Sequence, residues 1–428
     1  MLARLQISSP ATRALAAIAA VAALGGCGKG ASSPSNGSNA TTAAVAGAPA
    51  THRTCPETVL DVLQRVARRI YHQGVSSERT RSAAHLIAAS AGLREAVERS
   101  DPVAARAAAK ALVSGGHMTN LRVMRGGRVL ADVGGSAVAP LHGTLTGAGG
   151  RTIGSYVTSV WADEGLIAET NGVTGGRLAL RVQGRSVGGS LALPSGSLPR
   201  EGTLGLGPQR YGYTSFHGEA YPSGSLRVYL LRPIRATAAL CGSTAEDTVV
   251  RTLSRIANLI YAGEAGGRTL AQIQRVQRDP ALLRAVAARD PLATKAAIES
   301  LLTEHIVRLR VSAGGSLLAD VGGPFVLAPV TAPLRLAGRT IGSFVLSIQD
   351  DEGYLRLTRR LVGLRVLMYM NPAHPQLVKN SLGPSPGSVP ASGSYKYRGS
   401  SFRVFTVNAR AFPSGPLTIR VLVPVPYS

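Results

Sequence analysis

Two short acidic phrases hold the residue types best suited to ligand chemistry: Asp163-Glu-Gly165, and Asp351-Glu-Gly353 with Asp350 before it and Tyr354 after it. A carboxylate placed where a strand gives way to a helix meets either the free backbone N–H groups of the helix start or the ammonium of a ligand. Asp163 and Asp351 therefore have two readings, helix cap or ligand contact. Tyr156, Trp161, Phe344 and Tyr354 are candidates for the same lining, although aromatics on strands belong more often to a core. The second phrase is the richer, since Asp350 and Tyr354 stand where the first has Ala162 and Leu166. Asp351, helped by Asp350 and Tyr354, is accordingly the first choice for holding a small cationic ligand, with Asp163 as its counterpart.

Other chemistry finds little support. None of the eight His residues pairs recognisably with a nucleophile, and there is no Walker loop, G-x-G-x-x-G, H-E-x-x-H, or G-x-S-x-G elbow at a strand-to-helix turn. No catalytic residue, cofactor or metal is expected. His117 and His305 each stand alone at the head of a strand, without Cys or His at ligand spacing, and a structural role such as capping the preceding helix is expected of them.

The elements that would position these residues occur twice. Leu130-Ala-Asp-Val-Gly-Gly135 returns as Leu318-Ala-Asp-Val-Gly-Gly323, and Gly150-Arg-Thr-Ile-Gly-Ser155 returns as Gly338-Arg-Thr-Ile-Gly-Ser343, both at an offset of 188 residues (130 to 318). The Asp-Glu-Gly phrases and the pair His117 and His305 keep that offset, so the chain is a duplicated domain. A period this long predicts that each copy owns a core. Thr54-Cys-Pro-Glu57 and Ser243-Thr-Ala-Glu246 read as capping boxes. The helices they open carry apolar stripes, Val59, Leu63, Val66 and Ile70 in one, Val249, Leu253, Ile256 and Ile260 in the other. Asp101-Pro102 and Asp290-Pro291 each predict an N-cap followed by proline at the first helical position.

Each copy then turns from helix to sheet. Gly126-Gly127 and Gly314-Gly315 predict hairpins, because paired glycines tolerate the positive φ of tight turns. A strand from Thr152 to Trp161, matched by Thr340 to Gln349, runs into Asp-Glu-Gly and a short helix. Arg177 to Val182 and Arg365 to Met370 return as strand, and the Gly/Pro/Ser-rich stretches from about Gly184 to Gly207 and Asn371 to Gly393 read as long loops.

The N-terminus predicts where the pair works. Arg4 and Arg13, the apolar run Ala14 to Leu24 and the ending Leu24-Gly-Gly-Cys27 form a signal peptide over residues 1–27. It resembles the bacterial lipoprotein type, which implies a lipid on Cys27 and a protein anchored to the membrane on its extracytoplasmic face. Residues 28–54 read as a flexible tether. Export places Cys55 and Cys241 where disulfides persist, so a bridge between the two copies is a candidate. Their unequal positions, 16 residues before Tyr71 and 20 before Tyr261, leave it open. The net charge of +24 comes mainly from Arg scattered along both copies, aromatics are only 4%, and no nucleic-acid module is recognisable. The charge points to anionic lipid headgroups or envelope polymers, or simply to a solvated Arg-rich surface.

A leading amphipathic helix, a hairpin, the Gly-Arg-Thr-Ile-Gly-Ser strand running into Asp-Glu-Gly, a short helix and closing antiparallel strands together resemble the Cache (PAS-like, PDC) domains of bacterial extracytoplasmic sensors. The resemblance covers residues 55–235 and 236–428. It implies an α+β fold in each copy, a five- to six-stranded antiparallel sheet with the long helix behind it, and a small-molecule pocket on one sheet face. Such sensors usually drive a cytoplasmic module through membrane helices, and this sequence carries neither. The expectation is a lipid-anchored, small-molecule-binding or sensory accessory protein that hands its information to a signalling partner; the alternative is a structural or adhesive envelope protein with non-binding duplicated domains.

Overall fold

The computed structural model describes residues 53–263, 267–302, 306–324, 326–371, 373–413 and 415–427. The expected signal segment, Cys27, all but the last two residues of the tether, and His305 lie outside the described residues. Copy one opens with α1 (Cys55–Ser76), α2 (Glu78–Ala89), α3 (Ala91–Glu98) and α4 (Pro102–Ser114). Strands β1 (Asn120–Arg125), β2 (Arg128–Gly134), β3 (Ala137–Val138), β4 (Leu141–Thr146), β5 (Thr152–Ser159) and β6 (Trp161–Ala162) follow. After α5 (Asp163–Thr174) come β7 (Arg177–Val182), β8 (Arg185–Gly189), β9 (Glu201–Leu206), β10 (Gln209–Ala220) and β11 (Gly224–Pro233). The chain crosses to copy two through α6 (Ile234–Ala238).

Copy two repeats the order: α7 (Ala245–Gly263), α8 (Gly267–Arg278), α9 (Pro280–Ala287) and α10 (Pro291–Leu301), then β12 (Arg308–Ala313), β13 (Ser316–Gly322), β14 (Val326–Leu327), β15 (Val330–Leu336), β16 (Arg339–Ser347) and β17 (Gln349–Asp350). It closes with α11 (Asp351–Leu357), β18 (Arg365–Met370), β19 (Gln376–Asn380), β20 (Gly393–Tyr397), β21 (Ser400–Phe412) and β22 (Gly415–Val425). The fold is α+β, built from two repeated bodies of helices on antiparallel sheet.

Each copy holds two sheets where one was expected. The first has the order β2-β1-β5-β4, matched by β13-β12-β16-β15. The second runs β6-β3-β10-β11-β7-β8 with β9 added on β10, matched by β17-β14-β21-β22-β18-β19 with β20 on β21. The strand read as continuous to Trp161 breaks after Ser159, and a serine explains the break. Ser159 Oγ donates to Val138 O and accepts from Trp161 N, joining the two sheets at the point where the chain leaves one for the other. Ser347 donates to Leu327 O at the same place in copy two.

The repeated letters follow from close backbone approach and charge pairing. Asp132 pairs across the hairpin with Arg122 at 2.5 Å, and Asp320 holds Arg308 and Arg310 at 2.8 and 2.6 Å. Gly134 and Gly322 take positive φ, and a Cβ at either would fall within 2.4 Å of the backbone oxygen of Thr119 or Val307. At Gly154 and Gly342 a Cβ would lie 2.5 Å from Met124 O or Ser312 O and against Val97 or Val286, so these glycines let α3 and α9 rest on their sheets. Asp101 and Asp290 cap α4 and α10 as predicted. The second capping box sits one residue later than predicted, with Thr244 accepting from Asp247 N.

The cores correct a further expectation. Each four-stranded sheet packs on its own helices: Ile87, Leu93 and Val97 meet Leu121 and Val123 in copy one, and Leu282, Val286 and Ile298 meet Leu309 and Phe344 in copy two. The seven-stranded sheets keep separate apolar clusters on their outer faces, around Tyr213 and Tyr229 in one copy and Tyr369 and Phe402 in the other, but their helix-covered faces do not. Val59, Leu63, Val66 and Ile70 of α1 join Leu253, Ile256 and Ile260 of α7, together with Leu166, Leu230, Leu361 and Val421, in one apolar cluster that spans both copies. The physical reason lies in the helix faces: α1 and α7 pack along one another while also meeting their own sheets, and α5 lies against α7 as the 358–362 turn lies against α1. Each leading helix thus covers apolar surface of the other copy. Cys55 and Cys241 are joined by a disulfide at the start of this helix pair, with Cα atoms 5.7 Å apart.

Two more devices recur. The Tyr71 hydroxyl donates to Glu219 O and accepts from Glu219 N, and Tyr261 does the same with Arg410, so each leading helix is tied to the backbone of a long strand. On the opposite face, Arg181 stacks over Tyr229 and donates to Pro194 O and Gly196 O, holding down the segment between β8 and β9. In copy two the pair is exchanged between strands: Arg420 stacks over Tyr369 and donates to Val389 O.

Candidate functional site

The acidic phrases sit at the first turns of α5 and α11, where β6 and β17 deliver the chain from the sheet. Asp350 is the N-cap of α11, its Oδ1 accepting from Gly353 N at 2.6 Å. The cap is therefore Asp350, through its Oδ1, and not Asp351. Asp351 is buried at the first helical position. Its Oδ1 accepts from Glu352 N, and its Oδ2 lies 3.3 Å from Lys379 Nζ, which also reaches Glu352 at 3.1 Å. Burial raises the Asp351 carboxyl above its ordinary value, and Lys379 opposes that rise. Burial acts to lower the Lys379 ammonium, but Glu352 and Asp351 outweigh it, and the group ends above its ordinary value.

Tyr354 does not line an open site. It is fully buried in the shared core, edge-on to Tyr261, and its hydroxyl donates to Ala257 O of α7. Phe344 and Tyr156 are likewise core residues of the four-stranded sheets, and Trp161 packs beside Gly74 of α1. The richer endowment of copy two is thus already used up internally: one acid caps, one pairs with lysine, and the aromatic packs.

Copy one differs. Asp163 is 4% exposed and has no hydrogen-bond or ion-pair partner among the described residues; its Oδ1 is buried and unmatched. Loss of water, with Glu164 adding to it, pushes its pKa up to about 6. The strand facing it is β8, where Gly188 pairs with Leu180. In copy two the counterpart of Leu180 at the constant offset is Met368, and its partner is Lys379. A glycine therefore stands in copy one where copy two places a lysine whose ammonium hydrogen-bonds Glu352 and lies within ion-pair distance of Asp351 Oδ2, an oxygen that, like Asp163 Oδ1, accepts no hydrogen bond among the described residues. A Cβ at Gly188 would meet Ile167 Cδ1 at 3.2 Å and Asp163 Cβ at 3.9 Å, so a side chain starting there runs over the buried acid.

Gly188 and Lys379 stand on β8 and β19, two short strands inside the Gly/Pro/Ser-rich stretches expected to be loop. The G-x-S-x-G spacing occurs as Gly184-Arg-Ser-Val-Gly188 and Gly383-Pro-Ser-Pro-Gly387, but Ser186 is exposed within an edge strand and Ser385 is exposed in a loop, so neither sits at a strand-to-helix turn. His117 gives its carbonyl to Arg79, a structural contact at the end of the helical segment. Among the described residues no group of His, Cys, Asp and Glu is placed to hold a metal ion, and no helix is long and apolar enough to cross a membrane.

No protein-family model and no curated protein matches the chain. Among solved structures, it is similar to the periplasmic domain of Vibrio cholerae LuxQ, at 16% identity over 40% of this chain and 96% of that domain, with a TM-score of 0.27. It is also similar to an extracellular ligand binding receptor from Desulfohalobium retbaense, at 13% identity over 40% of each chain, with a TM-score of 0.20.

Proposed function

We propose that the chain is an exported, lipid-anchored binding protein of the Cache type, which takes up a small molecule outside the cytoplasm and passes the occupied state to a partner. The role is binding, not catalysis. The observation that carries it is Asp163: a buried carboxylate with no partner costs stability, and such groups persist where something else meets them. The Cys55–Cys241 bridge supports export, because disulfides persist in oxidising compartments. Leu24 to Cys27 supports the anchor. Cys27→Ser, followed by fractionation of cells, tests it: the variant leaves the membrane fraction if the anchor is a lipid on Cys27, and stays as fully as the parent if it is not.

A second reading, a rigid envelope spacer, draws on copy two, where Lys379 and Tyr354 fill the space around Asp351. A thermal-shift screen of amines, amino acids, carboxylates and sugars separates the two. A ligand at 100 times its dissociation constant adds about 2.7 kcal/mol to the binding protein and nothing to a spacer.

A further inference from the structure

The two copies answer the same structural problem with different residues, and the difference specifies a ligand. In copy two the buried acid Asp351 and the exposed acid Glu352 share one ammonium, which arrives on a four-carbon stem from β19. In copy one Asp163 and Glu164 repeat the two acids, Ile167 stands where Leu355 does, and the residue that would carry the ammonium is Gly188. Asp163 is buried as a residue and its Oδ1 is unmatched, while Gly188 is half-buried at the sheet edge beside exposed Ser186 and Val187. We propose that copy one holds a small primary alkylammonium between Asp163 and Glu164, in the place that the Lys379 side chain fills in copy two.

The chemistry follows from the lysine. An ammonium donates up to three hydrogen bonds and carries the charge that a buried carboxylate lacks, and its alkyl stem lies along apolar side chains. Copy two then carries its ligand tethered, and copy one takes a free one. The inference rests on the binding-protein reading above and narrows it to a chemical class and to one copy.

Butylammonium chloride is the probe, since it is the lysine side chain cut from its backbone, and tetramethylammonium, which has no N–H, is the control. Isothermal titration of the mature protein at pH 8 should find one butylammonium site and none for tetramethylammonium. Asp163→Asn should weaken binding at least about tenfold, as expected for loss of a charge-assisted hydrogen bond. Gly188→Lys should abolish the site by supplying the tethered ammonium, and Lys379→Gly should create a second site in copy two. Binding that survives both Asp163→Asn and Gly188→Lys, or no butylammonium binding by the parent protein, overturns the proposal. If the parent ignores butylammonium but binds a carboxylate or a sugar equally well with and without Gly188→Lys, the amine inference falls and the binding-protein reading stands. If nothing in the screen binds, both fall.

Discussion

Replacing Asp163 by asparagine should stabilise the protein at neutral and alkaline pH and lose that advantage in acid. The folded protein holds the Asp163 proton more tightly than the unfolded chain, with a pKa of about 6 against an ordinary 3.8. A raised acid contributes stability while protonated, and that contribution is lost as pH rises through the folded value. Between pH 4 and pH 7 the parent should therefore lose about 2 kcal/mol that a non-titrating residue would keep, at about 1.4 kcal/mol for each tenfold change in proton affinity. Asparagine brings its own hydrogen-bonding demand to the buried position, but that demand is the same at every pH. The quantity to measure is thus the change with pH in the stability difference between variant and parent. Urea unfolding at pH 4.5 and pH 8 reads it, and the core shared across the copies favours one cooperative transition. Asp351→Asn is the contrast in size: burial raises that carboxyl too, but Lys379 opposes the rise, so its stability difference should change with pH in the same direction and by less. A stability difference for Asp163→Asn that stays flat from pH 4.5 to pH 8 would refute the reasoning, because it would mean that the carboxylate is hydrated or paired in the folded protein.

Two further outcomes test the scaffold. Gly154→Ala should cost about 3 kcal/mol or more, since its Cβ would sit 2.5 Å from Met124 O, whereas Gly92→Ala, in a helix with nothing within 4 Å, should add about 0.5 to 1 kcal/mol; thermal melts of the two variants check the contrast. Removing the bridge by Cys55→Ala with Cys241→Ala releases a constraint over 186 residues of sequence, and should lower stability in non-reducing buffer by about 2 to 5 kcal/mol while leaving the parent's reduced form similar to the variant.

Much of the fold was legible because local chemistry decided it. The glycine pairs at Gly126 and Gly314, the caps at Asp101 and Asp290, and the strands Arg177–Val182 and Arg365–Met370 all lie where the residues predict them. The division of each copy into two sheets was not legible, because it depends on Ser159 and Ser347 bridging strands 21 and 20 residues away, and nothing in a serine announces that partner. The shared core escaped for a related reason. Apolar stripes on α1 and α7 show that each helix buries a face, not whose surface it meets. At the acidic phrases the sequence does not show which acid does what: Asp350 takes the cap, Tyr354 lies in the core, and Lys379 and Gly188 stand on strands within Gly- and Pro-rich sequence.

The divergence between the copies separates structure from function. Where a shared device keeps the fold together, a change in one residue is matched by a change in another. Arg181 over Tyr229 becomes Arg420 over Tyr369, the cation and the ring trading strands while both still hold the segment beyond the sheet. The tyrosine ties at Tyr71 and Tyr261 and the serine links at Ser159 and Ser347 are simply retained. At the buried acids the exchange is one-sided: copy two has carboxylate and lysine, copy one has carboxylate and glycine, and no other cation in copy one has moved in to meet Asp163. A position that mattered only for stability would be expected to lose the acid along with the base, because an orphaned buried charge costs more than an apolar replacement. That Asp163 stands alone, at an energetic cost the rest of the fold must offset, is the observation on which the proposed amine site in copy one rests.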